Sequence, residues 1–374
     1  MDGSCSSLTS KSGRFRKTLI ALILLVFLGQ LFESGNITLA ASNSGIKSAT
    51  KKVKVGNKNF TVQTVQIPKG TPVTVGLAKG QVGSTEKFEG IISRYKGEAA
   101  INGAFFEAYG GPPDPYGTLI AGGRFMHNGG YGTVIGYLAD GTALMDTLRT
   151  SIKGKVKKPD GKTLGWYVTF LNREPAKGSN VSIMYTPDRG TKVGFSGGIA
   201  VTIVEGKVTK NENNNNASIP ANGYVIVFSG TEQSSAERFV IDSEVERTFT
   251  YKDALGNLIP WEEVIAAVGA GPRLVKDGKV SLDAANEGFK DPKILTGSAA
   301  RSGIAIMPDG STLLATVSGA TMKQWAEIMK SLGAKQAMNL DGGASSALYG
   351  GGKVLTPAGR LLSNTLIFGA QVSK

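Results

Sequence analysis

The chain has 374 residues, of which 41% are hydrophobic and 19% charged, so it can bury a large core and is not a disordered protein. Its 51 glycines and 7% aromatics speak against a helical bundle and for many turns and short strands, because glycine is costly inside helices and cheap where φ is positive. The net charge of +13 is spread along the chain without helix-turn-helix or zinc-finger spacing. That makes nucleic acid a poor partner and leaves anionic wall polymers, lipid headgroups, phosphorylated glycans or simple solubility as its use.

At the N-terminus Lys11, Arg14, Arg16 and Lys17 precede an uncharged apolar run from Leu19 to Phe32. This reads as an export signal over residues 1–40, since the run is shorter than the roughly 20 residues that span a bilayer. Small residues at Ala40 and Ala41 favour cleavage over a retained membrane anchor. The expectation is a secreted or cell-surface protein that meets the membrane only through this segment. Cys5, the single cysteine, precedes the apolar run, which excludes disulfides and thiolate chemistry from the exported part.

Period-two apolar spacing predicts strands over residues 60–67 and 72–75, bounded by Pro68 and Gly70. A short helix over 85–95 leads into a buried strand over 99–106. Two glycines and three prolines between Tyr109 and Tyr116 require an irregular loop at that strand's end. Residues 150–220 carry lysine-rich turns, a strand around Tyr167 to Leu171, and the asparagine run 211–216, expected as a solvated loop. A hairpin is predicted from Gly303 to Val317 around Pro308-Asp309-Gly310-Ser311. A helix follows, with Thr321 and Gln324 spaced as a capping box, Met322, Trp325, Met329 and Leu332 on one face, and Gly333 as its stop. The strand 336–340 then delivers Asp341 into Gly342-Gly343.

Asp341, at the end of a buried strand and followed by small residues, is suited to hold a functional carboxylate against a closely approaching ligand; an Asx-turn is the plainer alternative. Asn102 and Asn339 occupy comparable strand-end positions. Arg301 offers a forked cation for phosphate or carboxylate. The stretch Gly269-Ala270-Gly271-Pro272-Arg273 supplies a second cation and glycine amides that can meet a phosphate. With His127 as the only histidine and no exported cysteine, neither a zinc site nor a Ser-His-Asp triad is expected. Ca²⁺ or Mg²⁺ on Asp341 and nearby oxygens stays open, with no metal ligand assigned and no EF-hand spacing.

These residues carry a resemblance to the phosphodiester glycosidase family, which includes the lysosomal uncovering enzyme. The matching stretches are 99–113 with 116–125, then 267–280, 300–319 and 333–355, in the family's order, within a span of about 60–370. The resemblance implies an α+β domain of twisted, largely antiparallel or mixed sheets with a few packed helices, covering residues 41–374. It also implies hydrolysis of a sugar-1-phosphodiester. It places Asn102, Arg301, Asn339, Asp341, Gly342, Gly343 and Ser345 at the pocket. Ala344 stands where the family usually has a third glycine, and residues 317–320 replace a VDGR-like segment; residues 150–215 have no family counterpart.

Glycoside cleavage normally uses two carboxylates, but a phosphate ester is already a good leaving group, so cations matter more than an acid. The expected assignment gives Asp341 the role of nucleophile or base, Glu107 that of second carboxylate, and the phosphate to Arg301 and Arg273. Asn102, Asn339 and Ser345, beside Gly342 and Gly343, would meet sugar hydroxyls. The substrate would be a phosphorylated glycan, cell-wall polymer or exopolysaccharide. The rival readings are a non-catalytic wall protein that binds anionic glycans and a divalent-metal phosphodiesterase.

Overall fold

The computed structural model describes residues 45–370, so the expected export segment over residues 1–40 lies outside the described residues. Among the described residues no helix is long and apolar enough to cross a membrane.

The architecture is mostly β, with four sheets and few helices, as expected for a β-rich α+β protein. A seven-stranded sheet runs in the order Lys47–Val55, Lys58–Ile67, Thr312–Ala320, Ala299–Ile306, Gln336–Asn339, Arg273–Lys276, Lys279–Val280. A five-stranded sheet runs Lys353–Thr356, Leu348–Gly350, Ala99–Asn102, Asn364–Phe368, Val73–Leu77. A second five-stranded sheet runs Arg124–His127, Leu119–Ala121, Ala266–Gly269, Val134–Tyr137, Ala143–Asp146.

Period-two alternation explains how the seven-stranded sheet serves two cores. Ile304, Leu314, Met338 and Leu340 face a core shared with Val75, Ile101 and Leu366 of the first five-stranded sheet and with Leu119, Ile135 and Val268 of the second. Their neighbours Ala305, Leu313, Ala315 and Ala337 face the opposite side, against the helix Met322–Ser331. That helix begins with the expected capping box: Gln324 N–H donates to Thr321 Oγ1 at 3.3 Å and the Thr321 N–H donates to Gln324 Oε1 at 3.0 Å. Met322, Trp325 and Met329 are buried on the sheet side, and Gly333 ends the helix with φ of 90°. Gly303 is small because the Trp325 indole lies across it; a Cβ there would stand 3.0 Å from the ring.

The remaining sheet has eight strands and curls through residues Arg149–Lys252. Its two outermost members, Thr163–Val168 and Phe170–Leu171, are separated by Thr169 alone, whose N–H donates to the Ser182 carbonyl at 2.7 Å. The sheet therefore closes on itself as a small barrel around Val156, Trp166, Val201, Ile226 and Phe239. Residues 150–215 supply much of its wall. The asparagine run is not a loop: Lys207–Asn215 is a strand paired with Ser196–Val204. Asn211 Nδ2 donates to the carbonyls of Ala236 and Phe239, and Asn214 Nδ2 to those of Phe195 and Gly197. These side chain to backbone bonds offset the poor strand propensity of asparagine.

Candidate active site

Two strands from different sheets end side by side. Asp341 N–H donates to the Gly103 carbonyl at 3.1 Å, which joins the end of Gln336–Asn339 to the end of Ala99–Asn102. Asn102, 1% exposed, fastens this junction with both ends of its amide. Its Nδ2 donates to the Asp341 carbonyl at 2.7 Å and its Oδ1 accepts from Ala347 N–H at 3.0 Å. Asn339, fully buried, donates through Nδ2 to the Gly271 carbonyl at 3.0 Å and to the Leu340 carbonyl at 2.6 Å, while its Oδ1 has no partner among the described residues. Both asparagines thus hold backbone, and Asn339 spends both of its amide N–H groups on it.

The Asp341 carboxyl keeps only partial access to solvent. Its pKa is pushed up from the ordinary 3.8 to about 6, chiefly by desolvation. Three opposing influences are weaker: a hydrogen bond from the Ser345 side chain, the Gly342 N–H at 2.8 Å, and the charge of Arg360. Gly342 is required for this packing, since a Cβ would lie 2.8 Å from the Ala300 carbonyl oxygen. Gly343, with φ of 61°, opens the turn Gly343–Ser345, which is exposed at Gly343 and Ala344 and buried at Ser345.

The cation that acts on Asp341 is one that sequence reasoning missed. The Gly359 N–H donates to the Ala344 carbonyl at 2.8 Å, and this bond lays the 357–361 loop against the Asp341 turn. Arg360 on that loop donates to Tyr109 Oη at 3.1 Å and stacks over the Tyr109 ring at 5.1 Å, while its buried Nε has no acceptor among the described residues. Lys293 Nζ stands over the same ring at 5.7 Å. Arg360, through its bond and its charge, and then Lys293 lower the pKa of Tyr109, whose ring is 80% exposed. Two cations and a phenol therefore rim a desolvated carboxyl.

The other expected residues surround this rim in supporting positions. Glu107 accepts from the N–H groups of Tyr109 and Gly110 at 2.9 and 3.2 Å and from Tyr116 Oη at 2.7 Å. The Tyr109 N–H and the Tyr116 hydroxyl hold its pKa below the ordinary value, so it stays ionised and shapes the Tyr109 loop. Burial and the bond to Glu107 push Tyr116 up to about 12.

Arg301 begins the strand edge beside Asp341, with its Cδ within 3.9 Å of where a Gly342 Cβ would sit. Its guanidinium turns away from solvent, however. At 2% exposure, Nε donates to the Ala320 carbonyl at 2.9 Å and Nη2 to the carbonyls of Lys293 and Gly297 at 2.9 and 2.6 Å. The forked donors that suit a phosphate are equally suited to backbone carbonyls, and here they fix the short helix Pro292–Leu295 that carries Lys293.

Arg273 is turned elsewhere. Its Nη1 donates to the Met145 carbonyl at 2.9 Å and Nη2 to Gln336 Oε1 at 2.5 Å, and Gln336 opens the strand whose far end leads to Asp341. The expectation that the Gly269–Arg273 amides meet a phosphate is also corrected. Gly269, Ala270 and Gly271 N–H groups donate to the carbonyls of Thr118, Thr133 and Asn339. Sequence reasoning passed over the half-buried Glu287 beside this turn, which accepts from Thr133 Oγ1 and Arg273 N–H, each at 2.7 Å. Desolvation raises its pKa.

His127 is fully buried, and its Nδ1 lies 2.8 Å from the Gly117 carbonyl; burial pushes its pKa down to about 3. Among the described residues there is no group of three or more His, Cys, Asp or Glu that could hold a metal ion.

The phosphodiester glycosidase family model matches residues 198–368. Asp341, Arg360, Lys293 and Arg301 fall inside this stretch; Asn102 and Glu107, on the earlier part of the expected span, fall outside it. A hypothetical protein from Synechocystis is similar in structure at 23% identity and a TM-score of 0.75, over 86% of this chain. The chain spans 62% of that protein's length. A Burkholderia pseudomallei protein that carries the name of an exported protein is similar at 22% identity and a TM-score of 0.66, over 83% of this chain and 74% of that one. These two likenesses show a shared fold. The catalytic domain of zebrafish N-acetylglucosamine-1-phosphodiester alpha-N-acetylglucosaminidase, auto-inhibited by its pro-peptide, aligns at 13% identity with a TM-score of 0.49, over 89% of this chain and 85% of that one. No curated protein matches the chain.

Proposed function

We propose that this chain, whose residues 198–368 match the phosphodiester glycosidase family model, hydrolyses the bond between a sugar's anomeric carbon and a phosphodiester in a glycan or wall polymer outside the cytoplasm. The observation that carries the reading is the desolvated Asp341 carboxyl, at about 6, beneath a rim of Arg360, Lys293 and Tyr109. In this scheme Arg360 and Lys293 receive the phosphate and neutralise the charge that grows on it as the glycosidic bond breaks. The leaving phosphomonoester needs little protonation, so one carboxylate suffices for the hard part of the reaction. Asp341 acts at the anomeric carbon, either as nucleophile or as the base that activates water.

Ser345 donates to Asp341 and steadies its ionised form. Asn102 and Asn339 fix the backbone on either side of the carboxylate, Glu107 holds the Tyr109 loop, and Arg301 holds the helix that bears Lys293. Arg273 and Glu287 brace the neighbouring turn and take no part in the chemistry.

Incubation of the purified protein with a sugar-1-phosphodiester in ¹⁸O-water tests the reading. The expected result is free reducing sugar carrying the solvent oxygen, with chelator having no effect. Label in the phosphate, together with loss of activity in chelator, would establish a metal-dependent phosphodiesterase instead. Tight binding without any product would establish a glycan-binding protein.

A further inference from the structure

The barrel holds a cavity of about 770 Å³, away from Asp341. It opens where one strand outruns its neighbour. Glu244–Lys252 is paired with Arg149–Lys157 along its whole length, but with Lys207–Asn215 only through Lys207 and Glu244. Beyond the turn at Glu205 and Gly206, the strand overhangs the barrel's end. Its inward face, Val245, Arg247, Phe249 and Tyr251, lines the cavity with Tyr224, the 186–188 turn and the Gly123–Phe125 segment. The volume is within the range of about 300–1,000 Å³ that ligand sites occupy, and the mouth of a barrel is a common place for one.

Arg247 breaks the pattern of that face. Strand alternation puts apolar residues at 245, 249 and 251, whereas the residue between them at 247 is an exposed arginine. The guanidinium instead stands over the Tyr224 ring at 4.9 Å and the Phe249 ring at 5.8 Å, with the Met184 sulfur 4.0 Å from Nη1. Rings and a thioether orient it without using an oxygen acceptor, so its forked donors are turned toward an incoming one. Tyr224, 6% exposed, brings a second donor to the same place: its hydroxyl is buried with no partner among the described residues. A buried hydroxyl without a partner is destabilising, a cost that a ligand acceptor would remove. Phe249 keeps part of its ring exposed, with Phe125 packed behind it at 5.5 Å.

We infer that this cavity is a second binding site, for an acidic carbohydrate whose phosphate or carboxylate meets Arg247 and Tyr224 Oη while its sugar ring lies on Phe249. The anion is chosen by the two donors. That the anion belongs to a carbohydrate rests on the proposed function, for which the site would hold a polymeric substrate at a distance from the bond being cut.

Affinity electrophoresis against polygalacturonate and a poly(glycosyl phosphate), with dextran as the neutral control, tests this; the phosphate polymer is run with the Asp341→Asn protein so that it is not consumed. Both acidic polymers are expected to retard the protein and dextran is not. Arg247→Ala should weaken retardation at least tenfold. Tyr224→Phe, which keeps the ring and the fold, should weaken it severalfold. Turnover of a small sugar-1-phosphodiester should be unchanged by either substitution. Retention of full affinity in both variants, equal affinity for dextran, or no retardation by either acidic polymer would overturn the inference. Retardation that depends on Arg247, in a protein that never cleaves a sugar-1-phosphodiester, would remove the proposed function and leave this site standing. Cleavage without such retardation would do the reverse.

Discussion

Replacing Asp341 by asparagine should make the protein more stable and inactive at once. Moving this carboxyl from 3.8 to about 6 corresponds to roughly 3 kcal/mol against the ionised form in the folded state. Its partial exposure screens some of this and leaves about 1–2 kcal/mol. The folded pKa lies above the unfolded one, so the fold favours the protonated acid. That stabilisation is complete below the unfolded value, is lost as pH rises through about 6, and stays lost above it. Asp341→Asn cannot ionise and so escapes the loss. Urea unfolding at about pH 8 should show the variant more stable than the wild type by about 1–2 kcal/mol, and at about pH 3.5 the difference should vanish. Turnover at about pH 8 should fall on the order of a thousandfold, the scale of a lost catalytic carboxylate. An equal stability difference at the two pH values would refute the desolvation argument, and undiminished turnover would take Asp341 out of the chemistry.

In the wild type, activity that needs the ionised carboxylate should rise with pH through about 6 and then level, and a pH–rate profile checks this. Arg360→Ala should leave the unfolding midpoint nearly unchanged but reduce kcat/KM by about 10–100-fold, the scale of a lost charged hydrogen bond. Arg301→Ala should behave in the opposite sense, destabilising by at least about 1–3 kcal/mol because the buried Ala320 carbonyl and two part-buried ones lose their donor. Comparing the two variants by thermal unfolding and steady-state kinetics separates a ligand cation from a structural one. Gly342→Ala should displace the Asp341 turn, since its Cβ would meet the Ala300 carbonyl at 2.8 Å; a crystal structure of the variant with the turn unmoved would contradict this.

The regular parts of this fold were legible in the sequence because their signals are local. The capping box at Thr321 and Gln324, the stop at Gly333 and the hairpin around Asp309 are each set by residues within a few positions of one another. Asp341 stood out for the same reason, as an acid between a buried strand and two glycines. What stayed hidden depends on partners far along the chain. Arg360 and Lys293 are cations in irregular segments, and only the bond between Gly359 and Ala344 and the grip of Arg301 on the 293–297 carbonyls bring them to the site. Arg301 and Arg273 were expected at the ligand because a guanidinium fits phosphate; the same forks fit main-chain carbonyls, and nothing in the local sequence distinguishes the two. The asparagine run was read as solvent-facing because the carbonyls that Asn211 and Asn214 satisfy lie about 15 to 30 positions away.

The barrel departs from one sheet and returns to the same sheet. Ala143–Asp146 precedes it, Ala266–Gly269 follows it, and both flank the strand Val134–Tyr137. Trp261 Nε1 donates to Asp146 Oδ2 at 2.9 Å, pinning exit to entrance. For a nascent polypeptide this changes the entropy of assembly. An unstructured excursion of this length would have to be gathered before the sheet could close, whereas a barrel already formed presents its two ends as near neighbours and the closure becomes that of a short loop. The order of events is thereby biased toward the barrel first and the interrupted sheet afterward, so slow folding of the inserted strands would delay closure of that sheet without altering its finished pairing.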